Sequence, residues 1–175
     1  MAAFVFTKNQ YVIYASNGIC KIDDIKSMSF VKGEPEKEYY ILKPQDSPNS
    51  TIYIPLDNEI LVAKLRLPLS CDEITDLISG IRFWDWIDDR KARSLEYRRI
   101  FSAITPSELL SVVKTLLQKR VEVSNAGKKM CAIDKDAYET ALRYLKAEFK
   151  FAFEGNVERV SEILKTAFGN SPASI

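Results

Sequence analysis

Residues 83–99, FWDWIDDRKARSLEYRR, hold both tryptophans of the chain beside five basic side chains. Indole rings fill cores or stack on flat apolar partners, and guanidinium and ammonium groups bind carboxylates or phosphates. Set together, the basic side chains suit a polyanion. Trp86, Arg90, Lys91, Arg93, Arg98 and Arg99 are the candidates for that role. The plainer alternative is a helix with core tryptophans and solvated cations. Other chemistry is scarce. The chain has no histidine, which excludes a Ser-His-Asp triad, a Cys-His pair and any histidine-bearing metal site. Cys20, Cys71 and Cys131 are widely spaced with no C-x-x-C, which argues against a disulfide framework or zinc knuckle and suits a reducing cytoplasm. Neither a G-x-x-x-x-G-K-[ST] loop nor a G-x-G-x-x-G motif occurs. The expectation is a protein that is not an enzyme and needs no metal or cofactor.

The net charge of +1 hides a strong segregation. Residues 68–89 carry one basic and six acidic side chains, whereas residues 90–130 carry ten basic and three acidic. A localised positive surface of this kind is expected of a polyanion site. Lys119, Arg120, Lys128 and Lys129 belong to the same block but are weaker candidates, because cations near a helix C-terminus also complement its dipole.

These side chains must be positioned by elements, and the chain has two kinds. Residues 1–67 read as five short strands: YVIYAS, ICKIDDI, SMSFV, YYILK and TIYIP, separated by turn signals at NG, KGEPEKE and PQDSPNS. A small, strongly bent sheet or barrel is expected there. Residues 68–170 read as four or five helices. SCDEITDLI opens with a capping box of Ser70 and Glu73, and TPSELLSVVKTLLQKR repeats the device with Thr105, Pro106 and Glu108. Asp134 is the expected N-cap of IDKDAYETALRYLKAEFKFAF, and NVERVSEILKTAF precedes a polar tail over 171–175. The fold class expected is α+β, a sheet domain followed by a helical bundle. No apolar run approaches the roughly 20 residues of a membrane-spanning helix, and the opening residues lack the pattern of a secretory signal.

With both halves in view, the chain resembles the CarD family of bacterial transcription regulators. The likeness runs over roughly residues 6–153 and is carried by YVIYASNGICKIDDI, YYILKP, IYIPLDN, the LR pair at Leu65–Arg66, WIDDRKARSLEYRRIF, LLSVVKTLLQKR and DKDAYETALRYLKAEF. It implies a Tudor-like N-terminal domain, shared with the transcription-repair coupling factor, that docks on the β subunit of RNA polymerase. It also implies a helical domain that touches promoter DNA at the upstream edge of the transcription bubble, with a tryptophan as minor-groove wedge. Met28 and Tyr53 stand where members carry basic docking residues, and AITPSE replaces a glycine-containing turn.

The edge-strand character of STIYIP makes Ile52, Tyr53 and Pro55 expected polymerase contacts, and the resemblance adds Met28 to them and points to Tyr53 again. Helical phase would put Trp86 with Arg90 and Arg93 on the exposed basic face and Trp84 with Ile87 toward the core. A monomer is the simplest expectation for the oligomeric state. The rival function is a protein-interaction adaptor whose helical half binds a protein and no DNA.

Overall fold

A computed structural model describes residues 6–169, so the polar tail at 171–175 lies outside the described residues. The chain forms two compact units, Met1–Pro68 and Leu69–Ile175.

The first unit is an antiparallel five-stranded sheet in the order β4-β3-β2-β1-β5. Its strands are β1 (Tyr11–Tyr14), β2 (Ile19–Met28), β3 (Lys37–Pro44), β4 (Ile52–Pro55) and β5 (Leu65–Arg66), with a one-turn helix α1 (Glu59–Val62) before the last. Alternation buries Val12, Cys20, Ile22, Tyr40, Leu42, Ile54 and Leu65 in one core, joined by Phe6. Gly18 follows β1 at φ +67°, a backbone conformation that favours glycine, and so lets the chain double back into β2.

The strand expectations need two corrections. ICKIDDI and the start of SMSFV are one ten-residue strand rather than two. Its pairing with β3 shifts between Ile22 and Asp24, a β-bulge that carries the ladder past the acidic pair. The fifth strand is instead the Leu65–Arg66 pair, which bonds to β1 at Ile13 and Tyr14.

The second unit holds α2 (Cys71–Ser79), α3 (Arg90–Ala103), α4 (Pro106–Asn125), α5 (Ala132–Ala152) and α6 (Val157–Phe168). Their apolar stripes meet in a core that includes Ile74, Ile100, Leu109, Val113, Leu116, Ala141, Leu145, Phe149 and Leu164. The Ser70–Glu73 capping box forms as expected. Thr105 is the N-cap of α4 with Pro106 in its first turn, but its side chain makes no capping bond. The α3–α4 turn, written AITPSE, puts Ile104 in the left-handed region at φ 51° and buries its side chain. A β-branched residue is disfavoured there, and burial of the side chain offsets the strain. No described helix is long and apolar enough to cross a membrane.

Candidate functional site

The helical phase expected of the tryptophans is not realised. Residues 81–88 have no regular secondary structure, and α3 starts at Arg90. Asp89 is the N-cap, its carboxylate accepting from the Ala92 N–H at 2.7 Å, so the chain has a strong reason to begin its helix there. Several backbone polar groups of the irregular stretch are met by side chains from neighbouring helices. Lys114 donates to the Ile81 carbonyl at 2.9 Å. The Thr115 hydroxyl accepts from the Trp84 N–H at 2.8 Å and donates to the Trp84 carbonyl at 3.2 Å. Both tryptophans are partly buried and pack against the helical core.

Arg93 is the principal correction among the candidate cations. It is 5% exposed, not part of a solvated face. Its Nε and Nη2 donate to the two carboxylate oxygens of Asp134 at 2.8 and 3.1 Å, a bidentate pair. Its Nη1 donates to the carbonyls of Ile87 and Asp88 at 2.6 and 3.0 Å. The same Asp134 accepts from the Tyr97 hydroxyl at 2.9 Å and the Cys131 thiol at 2.8 Å. Burial opposes ionisation of Asp134, but the bonds from Arg93, Cys131 and Tyr97 outweigh it and hold the carboxyl below its ordinary range. Burial first, then the bond to Asp134, pushes the Tyr97 phenol well up. Asp134 is therefore not the N-cap of α5, a position taken by Cys131. It anchors a clamp joining α3 and α5 to the tryptophan segment.

Trp86 lies against this clamp. The Arg93 guanidinium is 4.3 Å and the Lys119 ammonium 5.1 Å from its ring centre, within cation–π reach. Its indole N–H donates to Asp88 at 3.0 Å. Trp84 lies 5.5 Å from the Tyr97 ring and 6.4 Å from Trp86. Arg90, Lys91 and Arg98 are exposed on α3. Arg99 is exposed but tied to Glu96 at 2.7 Å and Glu108 at 2.6 Å, and these carboxylates raise its pKa. Lys119 pairs with Glu122 at 2.8 Å, and Arg120 lies over the Tyr138 ring at 5.8 Å. Lys128 and Lys129 are exposed in the turn before α5. Contacts from Arg93 to Cys131 and Asp134 bring that turn to the same end of the bundle as the start of α3.

In the sheet unit β4 is an edge strand, where Pro55, lacking a backbone donor, is tolerated. Tyr53 is 43% exposed and makes an edge contact with Phe30 at 5.1 Å, which in turn meets Tyr39 at 5.2 Å. Ile52 instead packs on the sheet core, which removes its side chain from the outer face. Met28 is partly buried at the end of β2, paired with Lys37. Phe30, 62% exposed, escaped the sequence reading because SMSFV resembles a strand whose aromatic would be half buried. Among the described residues no cluster of three His, Cys, Asp or Glu side chains could hold a metal ion.

Residues 6–66 match the family model described as the CarD-like/TRCF RID domain. The sheet unit is a CarD-like/TRCF RID domain. The RID family interacts with RNA polymerase and is a protein-interaction rather than a catalytic family. In this RID domain exposed Phe30 and Tyr53, with half-buried Tyr39, form an aromatic step beside the β4 edge of the sheet. The helical unit lies outside the matched residues. No curated protein matches the chain.

Proposed function

We propose that the protein is a non-enzymatic transcription regulator of the cytoplasm that docks on the RNA polymerase β subunit through its RID domain and holds promoter DNA with its helical domain. The observation that carries the docking is the RID match over residues 6–66. The docking face is the β4 edge with Tyr53, Phe30 and Tyr39, where apolar contact replaces the basic residues that the resemblance would lead one to expect. DNA contact is supported by Arg90, Lys91 and Arg98, exposed on one helix, and by partly buried Trp86 in the irregular segment that precedes it. Three cations neutralise few phosphates, so free DNA is bound weakly and polymerase supplies most of the local concentration. Preference for the open promoter over the closed one then shifts the melting equilibrium without chemistry. The test is capture of polymerase by the wild-type chain and by Tyr53→Glu. Capture by the wild type and loss in the variant support the docking face, and equal capture by both refutes it.

A second reading is favoured by a cleft of about 540 Å³ in the helical unit, between α2 and the first half of α4. Leu69, Leu77, Ile81 and Leu110 line it, with Glu73, Asp76 and Arg82 also at its wall. An apolar floor with a polar rim of mixed charge suits an amphipathic protein segment. An adaptor of this kind would bind protein through α2 and show no DNA affinity even beside polymerase.

A further inference from the structure

Directly paired residues on antiparallel strands share a face of the sheet. Tyr39 pairs with Lys26 and Pro55, Ile41 with Asp24 and Tyr53, and Lys37 with Met28. The residues between them, Tyr40 and Ile54, belong to the core, so this set lies on the opposite, outward face. Exposed Phe30 joins that face through its ring contacts with Tyr39 and Tyr53, and exposed Val31 follows it in the chain. The lysines of this set already have partners. Lys26 pairs with Asp24 at 2.9 Å, an aspartate that Lys8 also reaches at 3.0 Å. Lys37 pairs with Asp57 at 2.7 Å.

We infer that this face seats an uncharged, apolar segment of the polymerase β subunit, anchored on Phe30 and Tyr53, so that docking depends little on salt. This inference rests on the docking reading above and names the chemistry of the partner's surface. An acidic segment would have to compete with Asp24 and Asp57 for Lys26 and Lys37. The rings instead offer apolar area with little loss of side-chain freedom, and the centres of protein interfaces are enriched in aromatic residues and depleted of charge. The β4 edge runs beside the rings, and its backbone can hold an extended segment by strand addition. Continuity with that edge commits the face to polymerase, with which the RID family interacts.

The test measures the affinity of the full chain for core RNA polymerase at low salt and at roughly tenfold higher salt. Wild-type affinity should fall less than about threefold, because salt screens charges and not apolar contact. Phe30→Ala should weaken binding about tenfold at both salts, as expected for one anchoring side chain. Phe30→Leu should keep most of the affinity. Lys26→Gln and Lys37→Gln should bind within about threefold of wild type, since exposed ion pairs contribute little. All four substitutions fall at exposed positions, so the fold is retained. Affinity that collapses at high salt, or that Lys26→Gln or Lys37→Gln abolishes, assigns an acidic partner segment; it overturns the inference and leaves the docking reading intact. Unchanged affinity of Phe30→Ala beside lost capture by Tyr53→Glu overturns the anchor and again leaves docking on β4 intact. Wild-type protein that binds polymerase at neither salt overturns both.

Discussion

Asp134 and Arg93 form a buried ion pair within the helical unit. Each side chain is 7% exposed, and removing one partner leaves a buried, uncompensated charge. Asp134→Ala or Arg93→Ala should therefore destabilise the helical unit by about 3–5 kcal/mol, measured by denaturant unfolding. The pH dependence has a defined sign. The folded pKa of Asp134 lies below its unfolded value, so the pair contributes fully above about pH 4 and the contribution is lost as pH falls through the folded pKa. The difference in Tm between wild type and Asp134→Asn should be constant near neutrality and shrink on acidification. A constant difference down to the acid limit would mean that the pair is not ionic. Trp84→Ala should cost about 3 kcal/mol, since the ring packs on Tyr97 and the core. Trp86→Ala also loses stability, by about 1–2 kcal/mol, through its cation–π contacts. Little of this was legible in the sequence. The spacing of Arg90, Lys91 and Arg93 carries no sign that the third turns inward, because its partner lies 41 residues away. A helix-capping aspartate and a buried one look alike at position 134.

At the scale of elements, α3 and β4 carry the two proposed contacts. Substituting Arg90, Lys91 and Arg98 by alanine should reduce the log–log salt slope of promoter-complex binding by about 0.9 per lost phosphate contact. Arg93 is left out of that set because its loss would unfold the clamp. An unchanged slope would move the DNA surface to the turn that carries Lys128 and Lys129. On β4, Tyr53→Glu places a charge against Phe30 and should weaken polymerase capture while leaving the melting of the sheet unit within about 0.5 kcal/mol, as for an exposed site. Local signals located most elements well. The Ser70–Glu73 box and Pro106 mark true helix starts because they act through neighbouring backbone. Non-local pairing was harder to read. Ser27 and Met28 continue β2 because β3 supplies partners for them. Trp84 and Trp86 stay out of a helix because Thr115, Lys114 and Arg93 meet the backbone of their segment.

For the whole molecule, the change from strand to helix grammar near Leu67 is visible in the sequence because side-chain periodicity passes from two to 3.6. The compact units divide at Pro68. The sheet unit, with its own core, should still capture polymerase when the helical unit is deleted, and the helical unit alone should not. The charge segregation of the chain survives folding in part, since Arg93 is consumed by Asp134 and Arg99 by two glutamates. Arg90, Lys91 and Arg98 remain exposed. The central claim is that docking on polymerase and contact with melted DNA act together. The lifetime of the open promoter complex, followed after a competitor challenge with saturating protein, tests it most directly. Wild-type protein should change that lifetime severalfold, and both Tyr53→Glu and the Arg90, Lys91 and Arg98 alanine variant should lose the effect. A lifetime that wild-type protein leaves unchanged, or that both variants alter as fully as wild type does, would contradict it.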